Sequence, residues 1–274
     1  MSSAAGNPDP VIDEPAPGPA RITTGGAKLD LLDRTRLLRI VQERLGAPHR
    51  PPLVVASSNL DHLNHFGEGA SHPDPATSSP DADWLVTADG MPLVGAARVM
   101  TSRSWPQLAG SDLLPHVLAV AETDGATVGF LGGWPEQHEQ LRHALAEEFP
   151  KLSVRGYWSP SPAELGSPDT AASLAEQVAV AGVDLLVVGL GKPRQELWLR
   201  EHVTETGARV ALAFGAAADF LAGTVDRAPV RWRRFGMEWL YRLLHEPRRL
   251  WRRYLVEGPA AMWRLLRWSS ARQT

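Results

Sequence analysis

Between Leu53 and Gly215 the chain alternates short, almost wholly apolar runs with stretches of about a dozen residues in helical spacing, and few folds accommodate that rhythm. The runs are LVVAS (53–57), WLVTAD (84–89), ATVGFLG (126–132), LSVRG (152–156), VDLLVVGLG (183–191) and ARVALAFG (208–215). Helical stretches lie at 112–123, 135–149 and 170–181, and another opens near Pro193. A strand that is apolar throughout has to be covered on both faces. Crossover helices supply that cover and leave the strands parallel. The expected fold class is therefore α/β, with a mostly parallel sheet flanked by helices. Ahead of it, residues 28–46 place Leu32, Leu37, Leu38, Ile40, Val41 and Leu45 at helical spacing, with Gly46 as a stop. Residues 67–83 read as a polar, proline-rich loop.

The rhythm ends at Gly223, after which only helical patterns follow. From Arg227 to Thr274 there are 12 arginines, no lysine and three acids, a balance of +9 within a chain of formal net charge −3. Five of the ten tryptophans (Trp232, Trp239, Trp251, Trp263 and Trp268) share this end. A segment both basic and aromatic predicts an anionic surface as its partner, here a membrane, and nothing points to nucleic acid. Residues 1–19, rich in Pro, Ala, Gly and acids, are expected to be disordered. Residues 20–223 form the expected α/β domain. Residues 224–274 form a C-terminal helical appendage, too short for a core of its own, that packs on that body.

The first residues have neither the basic start nor the apolar stretch of a secretory signal, and no apolar run approaches the ~20 residues that span a bilayer. The expectation is a cytoplasmic protein, or one bound peripherally to the cytoplasmic face of a membrane. The absence of cysteine excludes disulfides, thiolate metal sites and a cysteine nucleophile.

Several motifs carry chemistry. GLGKPRQE (189–196) follows the most apolar strand. Gly189 and Gly191 permit a tight turn at the strand's carboxyl end, and Pro193 suits a first helical turn, whose free N–H groups attract anions. The third glycine of a dinucleotide fingerprint is missing, and Lys192 is followed by proline, so this is neither that fingerprint nor a P-loop. An ordinary strand-to-helix turn is the competing reading. Asp89, in TADGMP (87–92), stands at a strand end where a carboxylate can act as general base, or simply make an Asp-Gly turn. Asp81-Ala82-Asp83 has the form of a metal-holding pair, but it lies before a strand in an Asp- and Pro-rich loop and reads as solvated. His62 and His65 lack a third ligand, and there is no GxSxG. Arg242, Arg249 and Arg252, interrupted by Pro247, form a guanidinium cluster suited to phosphate.

In this order the motifs resemble the WecG/TagA/CpsF family (glycosyltransferase family 26). The resemblance rests on TADGMPLV (87–94), GSDLLP (110–115), FLGG (130–133), DLLVVGLGKPRQELW (184–198), FGAAADFLAG (214–223) and DRAPVRWRRFGMEWLYRLLHEPRRLWRRY (226–254). It implies a Rossmann-like body with a membrane-binding helical appendage. It also implies inverting, metal-independent and cofactor-free transfer of a hexose or N-acetylhexosamine from a UDP-sugar to a polyprenyl-diphosphate-linked sugar, at the inner face of the cell membrane. By the same resemblance Asp89 is the general base, and Gln195 is the glutamine after the glycine turn. Arg242, Arg249 and Arg252 hold the diphosphate, and Ser57 and Asn59 stand where the family has Thr-Pro-Asn. Lys192 joins Gly189, Gly191 and Gln195 in the expected ligand-binding turn. Gln107 replaces an arginine usual before the Gly-x-Asp motif, with Arg103 as a possible substitute. The alternatives outside this family are a nucleotide-dependent oxidoreductase on the same sheet type and a non-catalytic membrane-binding module.

Overall fold

A computed structural model describes residues 20–215, 217–223, 238–245 and 247–270. Its centre is a six-stranded parallel sheet built from β3 (Leu53–Ser58), β4 (Asp83–Ala88), β5 (Thr127–Gly132), β6 (Ser153–Trp158), β7 (Leu185–Gly189) and β8 (Val210–Ala213). The strands lie in the order β4-β3-β8-β7-β5-β6. Every neighbouring pair is parallel. Alternate side chains divide the core in two. Leu53, Val55, Val128, Phe130, Leu185, Val187, Val210 and Leu212 face one layer, together with α1 (Arg34–Leu45), α5 (Gly110–Thr123) and α6 (Pro135–Glu148). Val54, Ala56, Leu186, Val188, Ala211 and Ala213 face the other, with α8 (Pro168–Ala181) and α9 (Arg194–His202). The near-continuous apolar runs of the central strands follow from this double cover.

The chain moves outward from β3 to β4 in one direction and from β5 to β6 in the other, leaving β8 and β7 in the middle. Such a reversal opens a crevice beyond the carboxyl ends of the central strands. The helices after these strands start there: α2 (Leu60–Phe66) after β3, α4 (Met91–Thr101) after β4, α6 after β5 and α9 after β7. The remaining helices of the body are α3 (Pro75–Ser78), α7 (Pro162–Leu165) and α10 (Ala217–Leu221).

Two expectations are corrected at the amino-terminal side. The helix expected over 28–46 begins only at Arg34, where Asp33 caps it by accepting from the Arg36 backbone N–H at 2.7 Å. The residues before it form an antiparallel hairpin of β1 (Arg21–Thr24) and β2 (Ala27–Asp30). Buried Asp30 fixes that hairpin to the sheet: it accepts from Arg21 Nε at 2.7 Å and from the Val86 backbone N–H at 2.8 Å. Nor is 67–83 wholly a solvated loop. Asp74 is buried, caps α3, and accepts from the Lys28 backbone N–H at 2.7 Å.

Beyond Gly223 the described residues form α11 (Glu238–His245), α12 (Pro247–Trp251), a π-helical turn at Arg252–Glu257 and α13 (Gly258–Arg267). Ala261 and Leu265 of α13 are buried against Ala27, Leu63 and Leu93. Arg264 donates to the Glu68 carbonyl at 3.0 Å and to Asn64 Oδ1 at 3.2 Å. Thr23 and Ser270 exchange two backbone hydrogen bonds, at 3.1 and 2.9 Å. The opposite side of this segment exposes Leu255, Val256, Trp263 and Leu266. No helix among the described residues is long and apolar enough to cross a membrane.

Candidate active site

Asp89 is the first residue past β4 and is half-buried. Its backbone N–H donates to the Ser58 carbonyl at 2.9 Å, which locks the end of β4 to the end of β3. Asn59 Nδ2 donates to Asp89 Oδ2 at 3.4 Å, while Asn59 Oδ1 accepts from the His62 backbone N–H and caps α2. One short polar side chain thus sets both the start of a helix and the orientation of the carboxylate. Gln107 Nε2 donates to the Asp89 carbonyl at 2.7 Å. The Leu108 N–H, bonded to the Ala88 carbonyl at 2.7 Å, brings that loop against the strand end. Gln107 therefore stands beside Asp89, whereas Arg103 is exposed. Gly110, which opens α5, lies flat on Phe214: a Cβ there would sit 2.7 Å from the ring.

Farther along the same carboxyl edge of the sheet, past β3, the strand ends are bare backbone. Gly132 (φ +106°) and Gly133 (φ +79°) turn the chain out of β5, and Gly191 (φ +76°) turns it after β7. These are backbone conformations that side-chain-bearing residues rarely adopt. A Cβ on Gly189 would lie 2.8 Å from the Gly215 carbonyl oxygen, so close approach of β7 and β8 requires glycine as well. Gly132, Gly133, Gln137, His138, Gly189, Gly215 and Asp219 line a cleft over these ends.

Lys192 and Gln195 lie under this rim. The Lys192 ammonium donates to the Ser57 carbonyl at 2.9 Å, bonds Glu196 Oε1, and lies 3.4 Å from His62 Nδ1. Lys192 is thereby turned inward, tying the glycine turn to the end of β3. Gln195 is buried and donates to the Ala213 carbonyl and to Glu196 Oε1, both at 3.1 Å, leaving its Oε1 without a partner. Burial first, then the ammonium of Lys192 and nearby His65, push the His62 imidazole well below its ordinary pKa of 6.5. Sequence reasoning weighed His62 only as a metal ligand and did not single out Glu196. The only signals were a histidine at helical spacing from Phe66 and a glutamate four residues after a lysine.

The structure thus brings together Asp89, Ser57, Asn59, Gly189, Gly191, Lys192 and Gln195. The helices carrying Arg242 and Arg249 are described, but their side chains lie outside the described residues. Arg252 is exposed and pairs with Glu257 at 3.3 Å. The Asp-x-Asp pair is elsewhere. Asp83 opens β4 at the amino end of the sheet and binds Arg44 at 2.7 Å.

Glycine strand ends and a held carboxylate on one edge of a sheet fit phosphate binding coupled to proton transfer, and sequence comparison names the family. The model of the glycosyl transferase WecG/TagA/CpsF family matches residues 22–274. The chain belongs to that family. It is accordingly a glycosyltransferase of cell-surface polysaccharide synthesis, and the oxidoreductase alternative is set aside. Family membership also gives the parallel sheet its substrates in general terms, a sugar-nucleotide donor and a lipid-linked acceptor.

Proposed function

We propose that the protein moves a hexose or N-acetylhexosamine from a UDP-sugar, with inversion and without a metal, onto a sugar linked through diphosphate to a polyprenyl lipid. The observation that carries this reading is the position of Asp89 on the same carboxyl edge of the sheet as the bare ends of β5 and β7, with β3 and β8 between them. Asp89 takes the proton of the acceptor hydroxyl. That oxygen attacks the anomeric carbon as the bond to UDP breaks on the far side, so one displacement inverts the centre. Asn59 aims the carboxylate, and Gln107 steadies the backbone that bears it.

The leaving diphosphate gathers charge during the step. Backbone N–H groups at the glycine turns stabilise it, and so do Arg242, Arg249 and Arg252 when the appendage lies over the cleft. The exposed Trp263 and Leu266, beside basic Arg267, rest in the membrane interface at the cytoplasmic face, where the lipid-linked acceptor is found. Residues 20–223 act as the catalytic body and 224–274 as the appendage. The test is UDP release from a panel of UDP-sugars, with and without a polyprenyl-diphosphate-sugar acceptor. Acceptor-dependent release with one donor is expected. No release with any UDP-sugar would overturn the reading and favour a non-catalytic module.

A further inference from the structure

The glycine cleft is held from one side by a histidine that the proposed chemistry does not use. His138 lies in the first turns of α6 and is 7% exposed. Its Nε2 is 2.6 Å from the Gly132 carbonyl oxygen and its Nδ1 is 3.2 Å from Ser159 Oγ. A carbonyl can only accept, so Nε2 carries the hydrogen, and in the neutral ring Nδ1 accepts from the Ser159 hydroxyl. The imidazole packs on Tyr157 with centroids 5.2 Å apart, and Tyr157 stacks on Phe130 at 5.5 Å. The ring is therefore fixed in place between the ends of β5 and β6.

Its hydrogen bond falls on the residue that most needs one. Gly132 and Gly133 have no side chains to pack, and both hold positive φ angles where the chain leaves β5. A glycine pair is the costliest kind of backbone to immobilise. Gly132 pairs with Gly189 along the sheet, and the Gly132 carbonyl receives the His138 bond. A backbone that must meet a ligand within a few tenths of an ångström gains from such a restraint.

We propose that His138 is a positioning residue for the donor: it fixes the Gly132 carbonyl and so aims the Gly132–Gly133 backbone at the nucleoside diphosphate, with Ser159 orienting the ring. This rests on the reading of the cleft as the UDP-sugar site. His138 touches neither the acceptor nor the reacting carbon, so its loss weakens donor binding and spares the chemical step.

The experiment is calorimetric titration of the full-length protein with UDP, alongside steady-state kinetics with the donor identified in the screen. The variants are His138→Phe, which keeps the ring packing and removes both hydrogen bonds; His138→Gln, whose amide nitrogen reaches the Gly132 carbonyl; and Ser159→Ala. His138→Phe is expected to raise the UDP Kd and the donor KM about tenfold, with kcat within about threefold. His138→Gln should stay within about threefold of wild type, and Ser159→Ala should fall between the two. Wild-type UDP affinity in His138→Phe overturns the proposal, as does a His138→Gln that behaves like His138→Phe. Should His138→Phe not fold, an unchanged Kd in Ser159→Ala overturns it, and a raised Kd with an intact kcat sustains it. A wild-type protein that binds no UDP overturns the reading of the cleft together with this inference. Binding by wild type and His138→Phe alike overturns this inference alone.

Discussion

Asp83 and Asp89 stand at opposite ends of β4, six residues and about 20 Å apart. The first is bound to Arg44, which also donates to the Pro51 carbonyl. The second lies at the carboxyl end and accepts from Asn59. Two carboxylates flanking one strand thus divide: one serves the fold, and the other is the base in the proposed transfer. Asp83→Ala should leave turnover within about twofold and lower stability by about 1 kcal/mol or less, since the Asp83 side chain is largely exposed. Chelator should leave turnover intact. Loss of turnover in EDTA, restored by Mn²⁺, would show that the transfer needs a metal after all.

Asp89→Asn keeps the shape of the side chain, and its Oδ1 can still accept from Asn59. The negative charge is lost, and with it the basicity. Turnover should fall about 10²–10⁴-fold while UDP affinity stays near wild type. A variant that turns over within threefold of wild type would remove Asp89 from the role of base.

Lys192 and Glu196 form a buried pair, the glutamate fully so. Lys192→Met leaves that carboxylate without its counter-charge, which typically costs about 3–5 kcal/mol. Lys192→Met combined with Glu196→Gln should recover much of the loss in urea unfolding. If the single and double variants are equally unstable, the two side chains are not coupled as the geometry indicates.

His62 gives stability a pH dependence of known sign. Its folded pKa is depressed, so above the unfolded value of about 6.5 the ring is neutral in both states and contributes no slope. Below about pH 6.5 the unfolded chain takes up a proton that the folded chain refuses. Stability then falls by up to about 1.4 kcal/mol per pH unit until the folded pKa is reached. His62→Gln should flatten the change in urea midpoint between pH 7.5 and pH 5.5 relative to wild type. An identical slope in the variant would assign the acid sensitivity to other groups.

Leu265 and Leu266 are adjacent but face different surroundings: the first is buried on α2 and the hairpin, the second is exposed. Leu265→Ala should cost about 2–5 kcal/mol of stability. Leu266→Ala should leave stability within about 0.5 kcal/mol and weaken binding to anionic liposomes. Equal liposome binding by Leu266→Ala and wild type would argue against this face as the docking surface. Arg264 belongs with Leu265, since its guanidinium is bonded to Asn64 and Glu68. Charge reversal there should disturb the body, contrary to what its place in a basic segment suggests.

The inner strands of the sheet were legible because they are buried on both faces, and a run such as LLVVG (185–189) has no other way to hide its side chains. Asp89 and the glycines were legible because they sit where such runs stop. The hairpin at 21–30 was not, because its strands are only four residues long and its second strand, AKLD, runs into the leucines that precede α1. Periodicity assigned those leucines to the helix. The role of Asp74 was hidden in the polar loop because nothing local shows that a backbone N–H 46 residues away, at Lys28, needs its carboxylate. The inward turn of Lys192 was hidden for the same reason: its partners Ser57 and His62 are 135 and 130 residues away along the chain.

The pairing of Thr23 with Ser270 changes what kind of object the arginine-bearing segment is. Gly223 follows a helix set against α5, and Gly258 opens the helix clipped to the hairpin, so the chain is tied to the body on both sides of Arg242, Arg249 and Arg252. A free tail would search open solvent and lose that freedom on each encounter with the donor. A loop held at both feet meets the cleft as an intramolecular event, at effective concentrations that for short tethers reach the millimolar range. In the proposed transfer, even weak individual guanidinium–phosphate contacts then suffice, and weak contacts also let the spent nucleotide leave.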